Sequence, residues 1–148
     1  MSTINSLPTE RAAVVAVIDP DSTGTGGTDS TEVDHSEWNT TQWTLMVGTM
    51  QATSTVDFKL QSASSSGGSF SDITGKAITQ LTAAGSDDDK QVVINLRANE
   101  LTQGDRYVKG VVTVATANSD LGMLALGFDA RYGPASDNDM STVDEIVN

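Results

Sequence analysis

A hydrolytic triad in this chain would have to be built on its single histidine, His35, set in Glu32-Val33-Asp34-His35-Ser36-Glu37. Acids crowd that imidazole, but a triad also needs a nucleophile held on an exposed turn. No serine stands in the Gly-x-Ser-x-Gly elbow that would hold one. A β-sandwich metalloenzyme needs two or more imidazoles converging from neighbouring strands, which a lone histidine does not supply. The residue types thus predict His35 as a solvated or hydrogen-bonded surface side chain. The chain has no cysteine, which removes disulfides, thiol catalysis, iron–sulfur clusters and thiolate zinc sites together. The expectation is a protein that is not an enzyme and uses no cofactor.

Oxygen ligands are the remaining resource, because aspartates number 15 against 5 glutamates. Asp19-Pro20-Asp21-Ser22-Thr23-Gly24 opens like an EF-hand loop, with oxygens at positions one, three and five and glycine at six. Ser30 stands at position twelve, where a bidentate glutamate is required, so the match fails; a looser calcium loop on Asp19, Asp21 or Asp29 stays open. Asp87-Asp88-Asp89 reads as a solvated charge cluster on a turn. Gly24-Thr25-Gly26-Gly27 lacks the spacing and the following helix of a phosphate cradle. Trp38 and Trp43, five residues apart, would face opposite sides of an unbroken strand, which leaves one of them as a possible exposed aromatic for a sugar ring.

Charge narrows the partners. Twenty acids against 8 basic residues give a net charge of −12. A nucleic-acid reader needs clustered Lys and Arg to replace condensed counterions, and an anionic membrane surface asks for the same. Neither nucleic acid nor membrane is expected as a partner. The start, MSTINSLPTER, shows no apolar signal core, and the longest apolar runs fall short of the ~20 residues that span a bilayer.

The elements that must position these residues repeat with period two. Val56, Phe58 and Leu60 share one strand face, as do Val92, Ile94 and Leu96, then Val108, Val112 and Val114, and Trp43, Leu45 and Val47. Weaker or shorter strands are predicted at 77–81, 31–35 and 70–73. A single helical turn is expected around Arg97 to Leu101. Residues 12–18 and 121–130 are apolar on both parities, as in a strand covered on both sides or buried against another subunit. Turn formers at 19–24, 64–68 and 85–89 separate the segments. The pattern predicts an all-β fold, an antiparallel β-sandwich or jelly roll of about eight strands. The sandwich is expected over 11–133, between a polar N-terminal arm (1–10) and a polar, acidic C-terminal tail (134–148). The second apolar run makes Leu121, Met123, Leu124 and Phe128 candidates for a subunit or capsid interface. Arg131 and Tyr132, just beyond it, are residue types enriched at binding hot spots.

Several stretches in order, VVAVIDPDSTG, VDFKLQSASSSGGSFSDITGKAITQLT, DDDKQVVINLRANEL, RYVKGVVTVATA and LGMLALGFDARYGPAS, resemble the jelly-roll decoration or cement proteins of tailed-bacteriophage heads. They span most of residues 14–136, and none is a catalytic motif. The resemblance implies a structural virion protein, made in the host cytoplasm and lying on the outer capsid surface. It also implies two partners: the major capsid protein, whose neighbouring subunits it would bridge, and itself, as a homodimer or homotrimer. A carbohydrate- or receptor-binding β-sandwich displayed on the virion is the competing expectation.

Overall fold

Alternation of apolar and polar side chains forces extended chain here, because only a pleat sends successive residues to opposite faces. In the computed structural model, which describes residues 5–132 and 142–147, ten strands form among the described residues. They are β1 (Ala12–Thr23), β2 (Gly26–Asp29), β3 (Val33–Asp34), β4 (Trp38–Met50) and β5 (Thr55–Ala63), then β6 (Ser71–Ala77), β7 (Leu81–Thr82), β8 (Gln91–Arg97), β9 (Tyr107–Ala115) and β10 (Ser119–Ala130). One helical turn, α1 (Pro8–Arg11), precedes β1, and 3-10 turns at Ala83–Gly85 and Ala98–Glu100 follow β7 and β8. The second of these is the turn expected around Arg97 to Leu101.

All pairings are antiparallel, in two sheets ordered β1-β10-β4-β8 and β2-β9-β5-β6, with β3 beside β9 and β7 beside β5. Set aside the two-residue strands β3 and β7, and eight remain. Their pairs β1·β10, β2·β9, β4·β8 and β5·β6 are nested, first with last and so inward. A long antiparallel ribbon wound around a common core gives that nesting, which is the jelly-roll form of the β-sandwich.

Between the sheets lie the inward parities: Trp43, Leu45 and Val47 of β4 and Leu121, Met123 and Ala125 of β10, facing Val56, Phe58 and Leu60 of β5 and Val108, Val112 and Val114 of β9. Gly110 occupies the same inward row of β9. A Cβ there would fall 3.1 Å from the Phe58 ring and 3.3 Å from the Trp43 ring, so the absence of a side chain lets the two aromatics meet.

Four expectations are corrected. The strand count is ten rather than about eight, the excess being β3 and β7, each only two residues long. Residues 78–80 are not strand; β6 ends at Ala77 and β7 starts at Leu81. The turn expected over 19–24 is strand as far as Thr23, because β1 continues along β10 with Asp21, Ser22 and Thr23 opposite Leu121, Asp120 and Ser119. β1, apolar on both parities, is an edge strand. Register shifts between Val14 and Ala16 and between Ile18 and Asp21 interrupt it, and such irregularities blunt an edge against pairing with other chains. Of the N-terminal arm (1–10) residues 5–10 are described, with α1 starting at Pro8, whereas the C-terminal tail (134–148) is described only over 142–147, so that call lies largely outside the described residues.

Val112 is fully buried on β9. Val112→Asp should cost about 3–5 kcal/mol by placing a carboxylate without a partner between the sheets. A variant that is soluble and melts at the native temperature would contradict this inward parity.

Candidate docking surface

The imidazole comes first, because hydrolytic chemistry would need it in the open. It is not there: His35 is 3 % exposed, directly after β3. This corrects the surface placement expected from its acidic neighbours. Its Nε2 lies 3.1 Å from Thr41 Oγ1, which also accepts a 2.8 Å hydrogen bond from Trp43 Nε1, while its Nδ1 has no partner. Burial drives the imidazole pKa down to about 4, against the pull of the Asp34 carboxylate and with the push of Arg131. Asp34 itself takes a two-point ion pair from Arg106 Nε and Nη2. Burial raises the Asp34 carboxyl, but this guanidinium and the Ser36 N–H outweigh it and hold the carboxyl below its usual range. These contacts fasten one end of the sandwich, where the Arg131 N–H also donates to the Glu37 carbonyl at 2.8 Å.

Both indoles are buried, Trp38 at 3 % and Trp43 at 0 %, which corrects the expectation of an exposed aromatic. The burial of Trp38, Thr41 and Trp43 shows where the alternation of β4 breaks, between 38 and 41. Next to Trp38 in the ladder, Asp129 of β10 adopts a left-handed φ of 52°. The Trp38 ring lies over Gly127, where a Cβ would come 2.5 Å from its Cδ2. Trp38 is a plug at the end of the core.

The carboxylates have structural work. Asp88 Oδ1 accepts from the Met50 N–H and Asp87 Oδ2 from the Thr82 N–H, so two members of the triple-aspartate turn hold backbone. Among the described residues no three His, Cys, Asp or Glu side chains gather as a metal site.

The expected interface residues divide by parity. Leu121 and Met123 are 3 % and 2 % exposed and belong to the core, a correction forced by the pleat: they point inward. Phe128 is half-buried, and Leu124, of the opposite parity, is 40 % exposed. The ladder aligns Leu124 with Val17 of β1 on one side, and with Thr44 of β4 and then Val93 of β8 on the other. Val93 is 50 % exposed, and Met46, one step along β4 on the same face, 54 %. An apolar row thus crosses the outer face of the four-stranded sheet. Val93 and Met46 were missed as site residues, although their parity, opposite to Ile94 and Leu45, marked them as outward. Beside Met46, Pro20, Asp21, Gly48 and Asp120 line an open depression.

A second exposed group lies where the chain enters and leaves the sandwich. Ala12 pairs with Phe128, so α1 and the end of β10 are neighbours. There Leu7 is 40 % and Tyr132 82 % exposed, with Arg131 exposed between Tyr132 and the strand. No protein-family model matches the chain, and no curated protein matches it at a significant level.

His35 makes the fold acid-sensitive. The unfolded chain takes up a proton near pH 6.5 that the folded chain refuses until about pH 4. Its contribution to stability is therefore complete above pH 6.5 and declines as the pH falls through that window, by about 3 kcal/mol in all. The lowered Asp34 carboxyl adds its own loss only at more acid pH. Urea unfolding of wild type and His35→Gln at pH 7 and pH 4.5 should show the larger acid loss in wild type. Equal losses would contradict it.

Proposed function

We propose that this chain is a non-enzymatic structural protein of a tailed-phage virion. It binds the outer surface of the capsid and bridges major capsid protein subunits, strengthening the head. The sequence resemblance to jelly-roll decoration proteins motivates the reading, and the jelly-roll order of the strands agrees with it. The observation that carries it is Tyr132, 82 % exposed beside Arg131 at the end of the sandwich where α1 also sits. A tyrosine costs little side-chain entropy to immobilise and buries a large area on a partner, and an arginine next to it offers planar pairing to carboxylates.

Such a site asks for no reaction. A shell lattice already holds its subunits in place, so outside contacts that are individually weak add up through high effective concentration. The net charge of −12 suits a surface facing solvent and away from packaged nucleic acid. The buried indoles take away the aromatic platform that would have supported the carbohydrate-binding alternative.

Purified protein should co-sediment with undecorated heads and raise the temperature at which they rupture. The Arg131→Ala, Tyr132→Ala double variant should keep the wild-type melting temperature and bind heads about tenfold or more weakly. Undiminished binding by that variant would refute the assigned site; no binding by wild type would refute the function.

A further inference from the structure

The place of His35 in the sandwich suits one charge state only. The ring is 3 % exposed, and its Nδ1 has no hydrogen-bond partner among the described residues. Its Nε2 shares Thr41 Oγ1 with Trp43 Nε1. An imidazolium donates from both nitrogens, so a second proton would bury an Nδ1–H and a charge with nothing to receive them. The titratable and charged groups around the ring are Asp34 on β3, Glu37 in the turn to β4, Arg106 and Tyr107 on the β9 side, and Asp129 and Arg131 at the end of β10. Asp34 is spent on Arg106 at 2.6 Å, and Asp129 Oδ2 accepts from Thr40 Oγ1 at 3.2 Å. Burial keeps the ring neutral against the pull of Asp34, with Arg131 on its side and the Trp38 backbone against it.

The segment that carries this ring is lightly tied. β3 meets β9 through Val33 and Asp34 alone, opposite Val108 and Tyr107. Next to them the His35 N–H donates to the Arg106 carbonyl at 2.8 Å, and the Glu37 N–H to the Asp34 carbonyl at 3.1 Å. The Glu37 carbonyl in turn accepts the Arg131 N–H at 2.8 Å. The Asp34–Arg106 ion pair adds little, because half of the arginine side chain is in water. By contrast β4 and β10 are 13 and 12 residues long and pair along most of that length.

We propose that residues 33–37 form an acid-released latch: a proton on His35 frees this segment from the β9 edge and from Arg131 while the two sheets stay closed. Opening carries the imidazolium into water at the loss of two ladder residues and the Val33 anchor, not of the whole core. The Arg131 tie sits directly before Tyr132, so the same event loosens the exposed end of the sandwich. Control of docking by the latch rests on the capsid-binding reading; the latch itself does not.

The open segment takes up its proton near pH 6.5 and the closed one at about pH 4. Opening therefore becomes about 20-fold more favourable between pH 7 and pH 5. Asp34, which burial raises but Arg106 and the Ser36 N–H lower further, stays charged across that window.

Amide hydrogen exchange on the full-length chain, with no capsid present, tests it, because urea separates local from global opening. The His35, Glu37 and Arg131 amides should exchange more readily than those joining β5 to β9, and should respond little to urea below the unfolding transition. Their protection should fall about 20-fold from pH 7 to pH 5, and His35→Gln should abolish that fall. If this variant does not fold, the wild-type profile decides. Protection and urea response equal to those of the β5–β9 amides, or protection indifferent to pH in wild type, overturns the proposal. So does a folded His35→Gln that keeps the fall. Undecorated heads at about ten times their dissociation constant should raise protection of the three amides about tenfold, because docking favours the closed end. No rise beside an intact pH response refutes the docking end alone, and a rise without the pH response refutes the latch alone.

Discussion

The fold depends on the closure of two sheets over one apolar seam, where Trp43 of β4 meets the Phe58 ring of β5 above Gly110. Every longer pairing in the molecule is arranged around that meeting. β4 and β10 supply one wall and β5 and β9 the other, and β1, β8, β2 and β6 flank them. The seam tolerates few polar groups. The hydroxyl of Thr41 is there because it serves both Trp43 Nε1 and His35 Nε2, whereas His35 Nδ1 is left without a partner. Burial is what keeps the imidazole from taking up a proton, so acid works against the core end near β3.

Burying one parity of each strand leaves the other to meet water or a partner. On most strands the outward parity is polar, as with Asp57, Lys59 and Gln61 on β5. On β10 and β8 it is not, and Leu124 and Val93 stand half in water. In a chain this acidic, with its serine- and threonine-rich loops, such a row is costly to leave exposed. Two exposed features of different character are then available for association: an apolar row on the sheet face and a tyrosine–arginine pair at the chain ends.

Much of the architecture was legible in the residues. Strict alternation marked β5, β8, β9 and most of β4 with the correct inward face, since a period of two allows only two assignments and the polar set cannot enter the core. β2 was illegible: Gly26 and Gly27 carry no pattern, and the strand forms because the β9 edge is there to receive it. The start of β4 was misread because the count from Trp38 to Trp43 assumes an unbroken pleat, and the pleat is broken beside a left-handed Asp129.

By itself the sequence determined the all-β character, the two-residue period, the lack of cysteine, the single histidine and the strongly acidic charge. These properties live in residue types and local spacing. Only the tertiary structure decided which parity of β10 is core and which is surface, because a strand apolar on both sides carries no internal signal. The choice is made by register, which sets Met123 beside Leu45 inside and Leu124 beside Thr44 outside. Register also gathered Val17, Leu124 and Val93 into one row, from positions up to 107 residues apart along the chain, and so created a surface that no stretch of the sequence contains.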